Sequence, residues 1–97
     1  MGRPNIRLMT DLSNGHGCFP PFLPAQASIN VFVNGLAEVR SGDSYMVHCC
    51  PGMGCHKGMA LPGSATVFVN GRLAHTKGAG IECGDTAGNG SLNVFTG

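Results

Sequence analysis

Five cysteines and four histidines give this chain an unusual share of side chains that bind transition metals. They are His16, His48, His56 and His75, with Cys18, Cys49, Cys50, Cys55 and Cys83. Mixed imidazole and thiolate ligands favour zinc, although imidazole also accepts iron, so residue types leave the metal open. An odd number of cysteines without an export signal makes a disulfide framework the weaker interpretation.

Spacing selects four of these residues. Three related segments recur at residues 28–35, 64–71 and 91–97, each with a serine followed by Val-Phe. His16 and His48 each follow an aspartate by five residues, and His56 and Cys83 each precede a repeat serine by eight. If threefold symmetry relates the repeats, these four residues converge. Three imidazoles and one thiolate then form a closed, structural zinc site with one Zn2+ per chain.

The remaining candidates have weaker support. His75 falls on a predicted return strand, which favours a surface or packing role. Cys18, Cys49, Cys50 and Cys55 flank the selected histidines, and any of them could replace a ligand. A structural zinc is worth on the order of ten kcal/mol, comparable to the stability of a whole small domain.

Short strands must position these ligands. Alternating β-branched and polar residues in the repeats predict strands, and Asn34-Gly35 and Asn70-Gly71 predict type I′ turns. Return strands are expected at 36–40 and 72–76, and the third repeat is a single final strand. Segments 16–27, 48–62 and 83–90 are predicted loops. The sequence therefore predicts one mainly β domain over 1–97, with strands near 28–40, 64–76 and 91–97.

Composition excludes several functional classes. The 97 residues carry a formal net charge of +1 with 11% charged residues, which offers no basic surface for nucleic acid. No apolar run reaches the roughly 18 residues of a membrane span. Sixteen glycines raise the entropic cost of folding, so a metal crosslink would be valuable.

Taken together, the motifs resemble those of the PAAR-repeat proteins, which tip type VI secretion spikes and contractile phage tails. The resemblance covers nearly the whole chain: three Ser-x-x-Val-Phe units, Asn-Gly turns, Arg40-Ser41-Gly42-Asp43 and Ile81-Glu82-Cys83-Gly84. The Pro-Ala-Ala-Arg signature is altered to Ala37-Glu38-Val39-Arg40 in one unit and Leu73-Ala74-His75-Thr76 in the next, where the arginine is lost.

The resemblance implies a small conical fold with approximate threefold symmetry and zinc near its tip, held by His16, His48, His56 and Cys83. It also implies a partner, a trimeric β-helical spike of the VgrG or phage type, capped by one chain per trimer. Such a protein is made in the bacterial cytoplasm and then acts at a secretion spike or a virion tail. It touches the target membrane only transiently.

Two other functions compete with this one. A small zinc-dependent hydrolase needs an open metal position and a general base, and neither HExxH nor the zinc-deaminase pattern is present. A zinc-organised nucleic-acid module lacks a basic stripe. We therefore expect no enzymatic activity and no effector domain within this chain, while a separately encoded effector stays open as cargo.

Overall fold

Eight short strands organise the chain in the computed structural model, which describes residues 2–97. They are β1 Arg3–Pro4, β2 Phe32–Val33, β3 Leu36–Ala37, β4 His48–Cys50, β5 Gly54–His56, β6 Phe68–Val69, β7 Arg72–Leu73 and β8 Phe95–Thr96. All pair as antiparallel two-stranded units. No helix occurs within residues 2–97, and hence none that could cross a membrane.

The two Asn-Gly turns form as predicted. Asn34 and Gly35 have φ angles of 54° and 79°, and Asn70 and Gly71 have 53° and 78°. Positive φ at both central positions is the requirement of a type I′ turn, which asparagine and glycine meet at low cost. These turns connect β2 to β3 and β6 to β7.

A third antiparallel pair joins the two ends of the chain. Strand β8, which the sequence predicted as a final strand without a return partner, pairs with β1 at the N-terminus. Arg3 lies opposite Thr96, and Pro4 lies opposite Phe95. The signal was present in the residues that follow, because Pro4-Asn5-Ile6-Arg7 occupies the same place as Ala37-Glu38-Val39-Arg40 in the β2–β3 unit.

Backbone hydrogen bonds join the three units in a closed ring. Ile6, Val39 and His75 are fully buried, one from each unit. The N–H of Val39 donates to the Ile6 carbonyl at 3.0 Å, that of His75 to Val39 at 3.3 Å, and that of Ile6 to His75 at 3.3 Å. The same rotation relates three isolated bridges, Arg7↔Glu38, Arg40↔Ala74 and Asn5↔Thr76. Approximate threefold symmetry is therefore present at this end of the molecule.

Strands in the repeats are shorter than predicted. The regular pairing begins only at Phe32 and Phe68, not at the repeat serines. The Ser28 hydroxyl accepts from the N–H groups of Asn30 and Val31, at 3.2 and 2.9 Å. Ser64 and Ser91 make the same two bonds in their units. A side chain that satisfies these N–H groups locally competes with a strand ladder.

A further hairpin, β4–β5, lies where the sequence predicted only a loop. Strands β4 and β5 place His48 opposite His56 and Cys49 opposite Cys55. The turn between them is closed by the Met53 N–H donating to the Cys50 carbonyl at 3.0 Å. Turn formers Pro51, Gly52 and Gly54 between two short segments were the available signal.

An aromatic path connects the symmetric ring to the histidines. Tyr45 contacts His75 on the axis, with ring centroids 5.8 Å apart, and Phe22 at 5.3 Å. Phe22 in turn stacks on His48 at 3.5 Å. The predicted fold class is confirmed, since residues 2–97 form a small all-β domain with a histidine and cysteine cluster that could hold a metal ion.

Candidate metal centre

Four predicted ligands come together at one site. The ligand atoms of His16, His48, His56 and Cys83 all lie within 4.8 Å of one another. They come from separate segments: the loop after β1, the facing strands β4 and β5, and the segment between β7 and β8. Their convergence is as the repeat spacing indicated. Metal ligation itself stays a prediction, and the surrounding atoms test whether an ion fits.

Neighbouring acceptors orient two of the imidazoles. Nδ1 of His16 lies 3.2 Å from the buried carboxylate of Asp85, and Nδ1 of His48 donates to the Met46 carbonyl at 3.0 Å. The Met46 carbonyl can only accept, so Nδ1 of His48 carries its proton and the Nε2 lone pair of that ring is left for a metal. The Asp85 carboxylate lies beside Nδ1 of His16 without completing a hydrogen bond. Partners of this kind fix the tautomer and orientation of metal-binding histidines.

Asp85 is itself held in place. Its carboxylate accepts from the N–H groups of Gly15 and Thr86, at 3.0 and 2.7 Å. Burial acts to raise the pKa of Asp85, but these bonds, with the polar contacts from Ser13 and His16, outweigh it and lower the pKa. The carboxylate therefore stays ionised beside His16. It is committed to positioning, which argues against a free general base at this point.

The Nε2 atoms of the three clustered histidines have no polar partner outside the cluster in the part of the protein that the structure describes. Nε2 of His16 and Nε2 of His56 are 3.1 Å apart, and the buried Nε2 of His48 has no hydrogen-bond partner. Burial, and then the proximity of His48 and His16, lowers the pKa of His56. Buried ring nitrogens crowded together without a matching partner are costly unless a cation lies between them. The donor set therefore fits a metal ion.

Cys83 supplies the fourth ligand atom. It is the one free cysteine within residues 2–97 and is partly buried. Burial raises the pKa of its thiol, so the sulfur stays protonated until a metal displaces the proton. Gly58 permits the close packing here, because a Cβ at that position would lie 2.8 Å from the Cys83 nitrogen.

The other four cysteines correct the sequence interpretation. They form disulfides between Cys18 and Cys50 and between Cys49 and Cys55. The odd cysteine count predicts no disulfide framework, and that prediction is wrong. The Cα atoms are 5.7 and 4.0 Å apart in the two pairs. The unrecognised β4–β5 hairpin is the reason, because it places Cys49 directly opposite Cys55. With these sulfurs bonded, Cys83 is the thiol left for a metal.

His75 has a packing role, one of the two roles predicted for it, and it lies outside the cluster. Its Nδ1 is 2.7 Å from the Leu61 carbonyl, which can only accept, so Nδ1 carries the proton. Nε2 then accepts from the Tyr45 hydroxyl at 3.0 Å. The imidazole is thus fully hydrogen-bonded in its neutral form, and burial lowers its pKa.

No protein-family model matches the chain, and no curated protein matches it at a significant level. Three nitrogens and one sulfur can complete a tetrahedral shell around zinc without an open position. Such a shell crosslinks loops and gives a substrate no place to bind the metal.

Proposed function

We propose that this protein is a PAAR-type spike tip. In this role it caps a trimeric β-helical spike, of the VgrG or phage-tail type, with one chain per trimer, and a structural zinc stiffens the end that meets the target membrane. It is made in the bacterial cytoplasm and travels with the spike. The proposal joins the motif resemblance to two observations, three equivalent exposed phenylalanines and a cluster of four side chains that could hold a metal ion.

The surface that carries the proposal consists of three exposed phenylalanines, Phe32, Phe68 and Phe95, which we call the phenylalanine triad. They occupy equivalent strand positions and are 59%, 61% and 54% exposed. Ile29 and Leu92, at matching positions in two of the repeats, are almost fully exposed. Apolar side chains repeated with threefold symmetry are typical of a face that meets a partner with that symmetry.

Hydrogen bonds between units hold this surface together. The Ser91 hydroxyl donates to Oδ1 of Asn34 at 2.6 Å, Ser28 donates to Asn70, and Ser64 donates to the Gly97 carbonyl. Each bond passes from one unit to the turn position of the next. These bonds hold the phenylalanine triad on a rigid backbone, so little conformational entropy is lost when a partner binds.

The exposed area of the phenylalanine triad is large enough to contribute substantially to binding. A phenylalanine side chain offers on the order of 200 Å², so the observed exposures leave about 100 Å² on each. Burial of all three would contribute about 7 kcal/mol of apolar transfer free energy. That contribution is gross, because association costs several kcal/mol.

The partner half of the proposal is tested by mixing the protein with a trimeric β-helical spike protein from the same genome. Native mass spectrometry should give one chain per trimer. Phe68→Ser should weaken binding at least tenfold, whereas Met53→Ser, at an even more exposed site in the β4–β5 turn, should not. A ratio of three chains per trimer, or equal losses in both variants, would refute this arrangement.

The metal half is tested by elemental analysis of protein purified without chelator. We expect about one zinc per chain, and its loss in Cys83→Ala and His56→Ala. Lys57→Ala changes an exposed neighbour of His56 and should keep the metal. Verified metal loss should also lower the melting temperature. Full zinc occupancy in a folded Cys83→Ala variant would show that the ligand assignment is wrong.

A further inference from the structure

The two disulfides are placed next to the candidate ligands. Cys18 lies two residues after His16, and Cys50 lies two residues after His48. Their bond therefore connects the segments that carry these two histidines. Likewise Cys49 follows His48, Cys55 precedes His56, and their bond joins the strands of the β4–β5 hairpin. All three imidazoles are thus linked covalently through sequence neighbours, independently of any metal.

We propose that the disulfides form a redox-controlled clamp on the metal centre, which sets how tightly the ion is held. The inference depends on the metal site proposed above. In the oxidised chain the three histidines are held close together before an ion arrives. In the reduced chain the ion must order the same segments itself, and part of its binding free energy is lost to that ordering.

The cost of ordering is substantial because these segments have little structure of their own. Residue separations of 32 and 6 are closed by the two disulfides. The β4–β5 hairpin has only three residues in each strand, and an isolated hairpin is marginally stable at best. Crosslinks across both gaps remove conformations in which the histidines are apart.

Thermodynamic linkage makes the coupling reciprocal. If oxidation of the cysteines raises metal affinity by some factor, bound metal must raise the equilibrium constant for disulfide formation by the same factor. A metal-loaded protein would then resist reduction better than the metal-free form. The change in metal affinity and the change in the disulfide equilibrium constant can be measured independently, so their equality is a direct test.

The chemical step is thiol–disulfide exchange with a disulfide oxidant such as glutathione disulfide. One cysteine thiolate attacks the oxidant, forms a mixed disulfide and releases one glutathione thiol. The second cysteine attacks that mixed disulfide and releases the other. Two electrons pass from each cysteine pair to the oxidant, and the two cysteine protons end on the released thiols. Cys49, Cys55 and Cys18 are exposed, so reagents can reach both pairs.

The test compares zinc affinity in the two redox states of the unmodified protein. One sample is fully oxidised, and the other is reduced with a phosphine and desalted without oxygen. Competition with a chromophoric chelator should show that the oxidised protein binds zinc at least about tenfold more tightly. Cys49→Ser/Cys55→Ser and Cys18→Ser/Cys50→Ser should each lose part of this difference, because each retains one crosslink.

A second measurement gives the reciprocal quantity. Disulfide content is followed in glutathione redox buffers with free zinc either absent or held at saturation. The zinc-dependent shift in the equilibrium constant should equal the affinity ratio. Equal zinc affinity in both redox states, or two factors that disagree, would overturn the clamp while leaving the metal centre intact.

Two further outcomes distinguish a failure of the clamp from a failure of the metal centre. Tighter binding by the reduced protein, with stronger thiolate-to-metal absorption of its cobalt form, would show that the four cysteines act as ligands and would overturn the clamp. If neither the oxidised nor the reduced protein bound zinc, the metal centre itself would be overturned, and the clamp with it.

Discussion

Acid should destabilise this protein through His75, a histidine that is not a candidate ligand. The side chain is fully buried on the axis, and its neutral form already has both nitrogens bonded. A proton on Nε2 would replace the acceptor that the Tyr45 hydroxyl uses. Burial consequently lowers the pKa of His75, with only partial compensation from the Leu61 carbonyl and from the carboxylate of Asp43.

The pH window follows from the direction of that shift. Above the unfolded-state pKa of about 6.5, both states are neutral and stability does not depend on this group. Below it, the unfolded chain binds a proton that the folded chain refuses, so the free energy of unfolding falls as pH falls. From pH 7 to pH 5 the loss approaches about 2 kcal/mol if the folded protein takes up no proton in that range.

The assay is denaturant unfolding at pH 7 and pH 5 for the natural chain and for His75→Val. Valine matches the aliphatic residues Ile6 and Val39 at the two equivalent positions. At pH 7 the variant should lose about 1–3 kcal/mol, because the Tyr45 hydroxyl and the Leu61 carbonyl lose their partner. Its additional loss at pH 5 should be smaller than that of the natural chain by up to about 2 kcal/mol.

Other titrating groups, including the clustered histidines, are common to both proteins and cancel in this difference. An identical pH dependence in both proteins would refute the assignment of acid sensitivity to His75.

Two further predictions use matched pairs of variants. Gly63→Ala should destabilise the protein by more than about 3 kcal/mol, since the new Cβ would collide with Oγ1 and the nitrogen of Thr76, whereas Gly35→Ala meets no atom within 4 Å and should cost only about 1 kcal/mol for its positive φ; comparable losses in denaturant unfolding would contradict the packing argument. Asp43→Asn should cost about 3 kcal/mol, because the buried carboxylate accepts three bonds from Arg40, each 2.9 Å long, and one from Arg72 at 3.1 Å. The exposed Glu82→Gln should leave the melting temperature nearly unchanged, and a similar effect in both would indicate that the Asp43 network contributes little.

Local rules and internal repeats made the predictable part of this molecule predictable. The Asn34-Gly35 turn needs positive φ at two successive residues, a requirement that few other residue pairs meet. The convergence of His16, His48, His56 and Cys83 followed from their fixed distances to repeated residues. Both inferences depend on chemistry within one unit, or on the comparison of one unit with the next.

Long-range pairing accounts for most of what the sequence did not reveal. The return strand for β8 lies at the opposite end of the chain, so no local turn signal announces it. Cys18 and Cys50 are separated by 32 residues and are joined by a fold that had to be known first. His75 is a polar residue in a short predicted strand, yet it is fully buried on the axis. Its position is equivalent to those of the aliphatic residues Ile6 and Val39 in the other two units.

The two ends of the molecule meet different requirements, and their symmetries differ accordingly. Beside the phenylalanine triad, equivalent serines in the three units make equivalent hydrogen bonds, as a threefold partner would require. Four tetrahedral ligands cannot be divided equally among three units, so a metal centre built from those units must break the symmetry. The replacement at the axis, where His75 stands with Ile6 and Val39, already breaks it one layer earlier. His75 bonds to Tyr45, which contacts Phe22, and Phe22 stacks on His48. The layer of Ile6, Val39 and His75 thus has a symmetric backbone and asymmetric side chains. Through His75 it connects the three repeated units to a histidine that would bind the single ion we propose.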